Sequence, residues 1–78
     1  MKVRIQWECL YSDGDNSWRE NRFRILNIDD PDRAINTIID DYKQKYQCEP
    51  IKTNDGLHFA DDLDSVSINN FSIERMGE

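Results

Sequence analysis

The stretch from Asp30 to Tyr46 constrains the fold most, because its apolar residues recur with the period of an amphipathic helix. Wound into a helix, they form a single stripe, which consists of Ile35, Ile38, Ile39, Tyr42 and Tyr46. One helix cannot bury its own stripe. The flanking segments are therefore expected to supply a sheet against which the helix packs.

The residues at both ends of this stretch predict where the helix begins and ends. Asp30 suits the N-cap, and Pro31 suits the first helical position, where its missing N–H would have no partner in any case. Lys43 and Lys45 occupy the last turns, where the helix dipole favours cations. Pro50 prevents the helix from continuing past the residues just before it.

Two strands are predicted before the helix. Residues 2–11 alternate between apolar and polar, which is typical of a strand with one buried face. Residues 12–17, with the sequence SDGDNS, are rich in turn-forming types and are expected to close a hairpin. The second strand is expected over residues 18–28.

The second strand has apolar residues at both odd-numbered and even-numbered positions, which point to opposite faces of a strand. Phe23 and Ile25 are in phase with each other, whereas Leu26 and Ile28 fall on the opposite parity. We expect either a bulge or twist near Leu26, or a far face that is partly covered. The outer face of this strand is expected to carry Trp18, Glu20, Arg22 and Arg24.

Three further strand segments follow the helix. Residues 51–53 begin a third strand, residues 54–56 (NDG) signal a tight turn, and residues 57–60 return as a short fourth strand. Residues 66–73 contain two apolar pairs that are out of phase across Asn69-Asn70, and we predict one bulged strand there.

These elements predict an α+β fold of order ββαβββ, in which an antiparallel sheet carries one amphipathic helix on one face. The chain has 78 residues, and we expect residues 1–78 to form a single compact domain. Because the sequence begins with Met1 and contains no linker or low-complexity run, we expect it to be a whole gene product.

The net charge of −6, from 10 basic and 16 acidic residues, and the pI near 4.6 limit the class of partner. General nucleic-acid binding is disfavoured, because phosphates are held by lysine and arginine. A protein partner with a basic surface fits better.

Cys9 and Cys48 lack the CxxC spacing, which favours reduced thiols in a cytoplasmic protein. No stretch approaches the ~20 apolar residues of a membrane span, so we expect no membrane contact.

The candidate metal and catalytic sites are weak. A calcium loop that starts at Asp13 would need glycine at its sixth position and glutamate at its twelfth, where the chain has tryptophan and arginine. His58 precedes Asp61, Asp62 and Asp64, but one histidine without a nearby cysteine falls short of a zinc site. No serine or cysteine has the partners of a catalytic nucleophile. We expect no enzyme activity, no cofactor and no metal.

One alternative function is a small nucleic-acid-binding module. An outer sheet face that carries arginines and an aromatic ring can stack on single-stranded bases. Glu8 and Glu20 interrupt this patch, and ion pairs between strand residues are the more ordinary explanation of the arginines. The residues of this alternative face are Arg4, Trp18, Arg22 and Arg24.

The remaining feature is an array of aspartates around and after the helix. Carboxylates spaced over a small rigid domain can imitate phosphates and occupy the basic groove of a nucleic-acid-binding protein. Solubility and helix capping offer another explanation, which accounts fully for Asp30 and Asp32. The members of the array are Asp29, Asp30, Asp32, Asp40, Asp41, Asp61, Asp62 and Asp64.

In size, acidity, its ββα-plus-strands layout and its Asp-rich stretches DDPD, IIDDY and ADDLD, the chain resembles small phage-encoded inhibitors of bacterial defence. These are the anti-CRISPR proteins and the DNA-mimic anti-restriction proteins. The resemblance implies binding to a basic nuclease or surveillance-complex subunit in the host cytoplasm, and a block of nucleic-acid access or of a conformational step. The partner-binding residues that it implies are Asp40, Asp41, Asp61, Asp62 and Asp64, followed by Asp29 and Asp32.

Two questions stay open at the level of the sequence. An immunity or antitoxin protein that neutralises a basic toxin would use the same aspartates. The sequence is compatible with a monomer and with a homodimer, and it does not show whether an exposed strand edge pairs with another chain.

Overall fold

A computed structural model describes residues 1–77 and shows a five-stranded sheet with one helix packed against it. The predicted α+β fold and ββαβββ order are confirmed. A one-turn 3-10 helix over Pro31–Arg33 leads into the α-helix. The elements are β1 (Lys2–Ser12), β2 (Ser17–Asn27), α1 (Ala34–Tyr46), β3 (Ile51–Thr53), β4 (Gly56–Ala60) and β5 (Ser65–Arg75).

The strands pair antiparallel in the order β2-β1-β5-β4-β3. The first and last strands of the chain therefore lie side by side within the sheet, while β2 and the short β3 form its edges. The predicted tight turn joins β3 to β4, where Thr53 lies opposite Gly56. Gly56 has a φ of +113°, and a Cβ at this position would collide with the carbonyl oxygen of Ile68.

The predicted stop of the helix is confirmed, whereas the predicted cap belongs to the 3-10 turn before α1, because the N-cap position of α1 itself is Arg33 and makes no side-chain capping bond. The Asp30 carboxylate accepts a hydrogen bond from the backbone N–H of Asp32 at 3.0 Å, and Pro31 occupies the first helical position. The helix ends at Tyr46, and Gln47 follows in the left-handed conformation with a φ of +53°. No helix in the described part of the chain is long and apolar enough to cross a bilayer.

The core lies between α1 and one face of the sheet. The predicted stripe is confirmed, because Ile38, Tyr42 and Tyr46 are buried and Ile35 and Ile39 are half-buried against the core. The odd-numbered residues of β1 face the helix, together with residues from β4 and β5. The buried apolar residues of the sheet are Val3, Ile5, Trp7, Cys9, Phe59, Val66 and Ile68.

Tyr42 connects the helix to β1 through polar contacts inside the core. Its hydroxyl accepts a hydrogen bond from Trp7 Nε1 at 3.2 Å and lies 3.3 Å from the sulfur of Cys9. The two rings of Trp7 and Tyr42 meet edge to face, with centroids 6.5 Å apart and an interplanar angle of 87°. Burial is the main cause that raises the pKa of Tyr42 far above its ordinary value, so the hydroxyl stays protonated.

The predicted bulge in β5 is confirmed. The register of β5 against β1 shifts after Gln6, and Asn70 adopts a φ of +53°. The extra residue allows Ile68 and Phe71 to face the helix although they are three positions apart. Ile68 is buried, and the ring of Phe71 stacks on Trp7 with centroids 6.4 Å apart.

The predicted faces of β2 are wrong. Leu26 faces the helix side, whereas Phe23 and Ile25 lie on the outer face and are 58% and 48% exposed. The hairpin closes between Ser12 and Ser17 and its pairing is continuous, which contradicts a bulge near Leu26. Directly opposed residues share a face, so even-numbered residues of β2 lie with the odd-numbered residues of β1. Four residues predicted on the outer face therefore lie on the helix side, namely Trp18, Glu20, Arg22 and Arg24.

We predict that Tyr42→Phe lowers the free energy of unfolding by about 1–3 kcal/mol, because it leaves the buried N–H of Trp7 without an acceptor. Urea unfolding followed by tryptophan fluorescence measures this loss. Tyr46→Phe is the matched control, since Tyr46 lies on the same helix face with the same exposure of 8% and accepts no N–H from any described residue. Equal losses in both variants would contradict a role for the hydrogen bond.

Candidate functional site

Two loops meet at one end of the sheet. Ser12 at the end of β1 lies opposite both Ser17 of β2 and Ser65 of β5, and Ser65 also lies opposite Ala60 of β4. The β1–β2 loop and the β4–β5 loop are therefore neighbours, and neither contains a lysine or arginine. We call their carboxylates the acidic end, which consists of Asp13, Asp15, Asp61, Asp62 and Asp64.

The β1–β2 loop is held by its first residue. The carboxylate of Asp13 accepts hydrogen bonds from the backbone N–H groups of Asp15 at 3.1 Å and Asn16 at 2.7 Å. Aspartate side chains that bind amides of their own turn hold the turn in one conformation. The N–H of Asn16 is the main cause that lowers the pKa of Asp13, so this carboxylate is ionised at neutral pH.

The β4–β5 loop is built in the same way. The carboxylate of Asp61 accepts hydrogen bonds from the backbone N–H groups of Leu63 at 2.8 Å and Asp64 at 2.7 Å. The backbone N–H of Asp61 also donates to the carbonyl oxygen of Asp64 at 2.9 Å. These amides, with that of Asp64 first, lower the pKa of Asp61. The loop presents Asp62 and Asp64 to solvent from an ordered backbone.

Two apolar side chains are exposed at the acidic end. Leu63 in the β4–β5 loop is 81% exposed, and Trp18 at the start of β2 is 45% exposed. The ring of Trp18 stacks on Tyr11 with centroids 5.7 Å apart, so one of its faces is covered. An exposed leucine and an exposed indole beside carboxylates have the composition of a protein-binding surface.

Asp40 and Asp41, predicted as neighbouring contacts, point in different directions. Successive residues on a helix are rotated by about 100°, which turns Asp41 toward β2 and leaves Asp40 facing solvent. Asp41 forms an ion pair with Arg24 of β2. The pairing neutralises much of the charge that Asp41 would offer to a partner.

Asp29 and Asp32 lie at the opposite end of the molecule from the acidic end. They flank the N-cap of the helix, beside the start of β1, where the carbonyl oxygen of Met1 accepts the N–H of Ile28 at 2.8 Å. Because β1 has 11 residues, about 35 Å separate the two ends of the sheet. The seven predicted partner-binding residues therefore do not form one patch, and only the three in the β4–β5 loop belong to the acidic end.

Asp13 and Asp15 are not among the predicted partner-binding residues, because their stretch predicts a hairpin turn and falls short of a calcium loop. Their acidity is visible in the sequence. Their proximity to the β4–β5 loop depends on the pairing of β5 with β1, which joins segments more than fifty residues apart and which no local pattern indicates.

The arginine-bearing face of the alternative nucleic-acid module is divided between the two sides of the sheet. Trp18, Arg22 and Arg24 lie on the helix side of β2, whereas Arg4 lies on the outer side. There its guanidinium carbon sits 4.5 Å from the ring centroid of Phe23. The four residues therefore do not form a single binding surface.

A groove of about 520 Å³ separates α1 from β2 on the helix side. Its charged lining residues include Glu20, Arg22, Arg24, Asp41 and Lys45. Arg24 pairs with Asp41, and Arg22 lies 3.7 Å from Glu20. Because acidic and basic groups share the lining, and four of the five charged residues pair with one another, the groove does not present one sign of charge to a ligand.

His58 lies apart from the aspartates that follow it in sequence. Its Nδ1 is 2.9 Å from the hydroxyl of Ser67, its partner on β5. Within residues 1–77, no group of three or more histidine, cysteine, aspartate or glutamate side chains is arranged to hold a metal ion.

No protein-family model matches this chain, and no curated protein or solved structure is significantly similar to it.

We predict that the order of the β4–β5 loop depends on the ionised carboxylate of Asp61. Because the amides of Asp64 and Leu63 lower the pKa of Asp61, the loop is fully ordered above the ordinary value of 3.8 and loses its order as the pH falls through the lowered pKa. NMR titration of these two amide protons measures this transition. Asp61→Asn keeps an acceptor oxygen, so it should keep the loop ordered without a titration, whereas Asp61→Ala should disorder it at every pH. An unchanged loop in Asp61→Ala would contradict the role of this side chain.

Proposed function

We propose that this protein is a non-enzymatic binding module that inhibits a nucleic-acid-binding protein by placing its acidic end on the partner's basic surface. The observation that carries the proposal is the convergence of five carboxylates from two loops that contain no basic residue. In line with the resemblance to phage-encoded inhibitors, the partner is a nuclease or a surveillance-complex subunit of a bacterial defence system.

The electrostatics of the chain support this mode of binding. The net charge is −6, and the two loops concentrate acidic groups at one tip of an elongated molecule whose largest dimension is 44 Å. A concentrated charge at a tip steers a basic partner toward that tip and raises the association rate. Both effects weaken as salt is added, because exposed charges that are more than about 8–10 Å apart are largely screened at physiological ionic strength.

The order of the two loops supports affinity as well as attraction. Asp13 and Asp61 hold their loops through hydrogen bonds to backbone amides, so little conformational freedom remains to be lost on binding. Leu63 stands among the carboxylates and can enter an apolar pocket on the partner. A desolvated apolar contact inside a charged rim is the usual anatomy of a stable interface.

We predict that Asp62→Lys with Asp64→Lys weakens partner binding by roughly tenfold or more, because it places like charges against a basic surface. The measurement is a pull-down from bacterial lysate with the tagged protein at low and high salt, followed by mass spectrometry. The wild-type protein should retain a basic nucleic-acid-binding protein at low salt, and an excess of duplex oligonucleotide should compete with it.

The matched control is Asp29→Lys with Asp40→Lys, which makes the same change in charge on two exposed residues outside the acidic end. This variant should retain the partner. Equal losses in both double variants would mean that only net charge matters and would refute the assignment to the acidic end. Direct binding of the oligonucleotide by the protein itself would instead support the nucleic-acid-binding alternative.

We also predict that Leu63→Ser weakens partner binding several-fold without changing the salt dependence, because it removes an apolar contact and leaves every charge in place. Titration calorimetry against the captured partner at two salt concentrations measures both quantities. Leu63 is 81% exposed in the free protein, so the substitution should leave the free energy of unfolding nearly unchanged. Unchanged affinity in Leu63→Ser would exclude the leucine from the interface.

A further inference from the structure

We propose that two copies of this chain pair through the free edges of β2 and form one continuous sheet. β2 is an edge strand of 11 residues, all without a strand partner on the outer side, whereas the opposite edge is divided between β3, with three residues, and the part of β5 that β4 does not pair, residues 69–75. A long edge strand presents a row of unpaired N–H and C=O groups and is a template for another strand. This inference concerns the free edge of β2, which shares only Trp18 with the surroundings of the acidic end, and it does not rest on the proposed function.

The pairing of β1 with β2 shows which backbone groups are free. The N–H of Asp13 bonds to the carbonyl of Asn16 at 3.1 Å, and the N–H of Ile28 bonds to the carbonyl of Met1 at 2.8 Å. Antiparallel bonding alternates along a strand, so the even-numbered residues of β2 bond to β1 and the odd-numbered residues point their backbone groups to the free edge. A second β2 must therefore place odd residues opposite odd residues. Opposed residues share a face, so both helices lie on the same side of the joint sheet.

One register makes the strand complementary to itself, and it places Asn21 opposite Asn21 of the second copy. On the helix side, Glu20 then faces Arg22 of the second copy, and Trp18 faces Arg24. The two-fold axis repeats each contact. Because Glu20 also lies 3.7 Å from Arg22 of its own chain, the result on this side is one cluster of two carboxylates and two guanidinium groups. Two pairs of guanidinium and indole flank it, and both kinds of contact stabilise cross-strand neighbours.

The outer side of the same register is also complementary. Arg19 faces Phe23 of the second copy, again twice by symmetry. Phe23 is 58% exposed, and Arg4 from its own chain lies over the ring. Trp18 is likewise exposed on the helix side, with Tyr11 stacked against it. Pairing would bury both exposed rings.

Charge excludes the neighbouring registers. A shift of one strand by two residues in one direction places Glu20 opposite Glu20 of the second copy. The same shift in the other direction places Arg22 opposite Arg22. Like charges directly opposite each other destabilise a strand pair. The sequence WRENRFR of β2 therefore selects the register that is centred on Asn21.

The first test is the mass of the full chain in solution, measured by size-exclusion chromatography with light scattering. The expected mass is twice 9.3 kDa. Glu20→Arg should weaken the dimer about tenfold or more, because two ion pairs become two like-charge pairs, and Glu20→Arg with Arg22→Glu should restore it. The control Asp40→Arg makes the same change in charge on the helix and should leave the dimer intact.

The second test is of the register. In a Cys48→Ser background, Asn21→Cys should form an intermolecular disulfide on mild oxidation, because the two residues lie opposite each other at the two-fold axis. Residue 23 also points its backbone groups to the free edge. In the dimer, however, the two cysteines of Phe23→Cys would lie four positions out of register, about 13 Å apart, so they should not cross-link. A monomeric mass for the folded wild-type chain at about 1 mM, or equal cross-linking of both cysteine variants, would overturn the proposal.

Discussion

The width of one helix is the constraint on which the rest of this structure depends. An α-helix with its side chains is about 10 Å wide, whereas five strands spaced at about 4.8 Å span roughly 20 Å between the outermost two. Here α1 covers β1, β5 and β4, and the hydroxyl of Tyr42 accepts a hydrogen bond from Trp7 of β1 inside the core. The helix side of β2 is consequently left uncovered. This explains why charged side chains occupy that side of β2 and why a groove separates it from the helix.

The same arrangement determines where the two proposed binding surfaces lie. Because β1 and β5 are neighbours within the sheet, the loop that follows β1 and the loop that precedes β5 emerge together, and their carboxylates form the acidic end. Each loop is ordered by one aspartate that binds its own backbone amides. The proposed inhibitor function uses this acidic surface, and the proposed self-association uses the uncovered edge strand.

The two proposals are compatible in one particle. In a dimer joined through antiparallel β2 strands, the two acidic ends would lie at opposite ends of the joint strand pair and point away from each other. Such a particle offers two equivalent binding sites and could engage a partner that is itself repeated, with an avidity above that of one site. A dimer defect and a defect at the acidic end are measured by different experiments, so each proposal can fail without the other.

The sequence by itself determined the elements of this protein, because their signals are local. The helix, the cap at Asp30 on the 3-10 turn before it, the turn before Gly56 and the bulge in β5 all follow from spacing and residue type within a few positions. Only the tertiary structure decided the side of the sheet on which Arg22 and Arg24 lie and the neighbours of Asp61. Periodicity shows which residues share a face of β2 but not which face meets the helix, and a shift of one residue in register exchanges the two. Strand order and register are set by pairing between distant segments, and the composition of the candidate site depends on both.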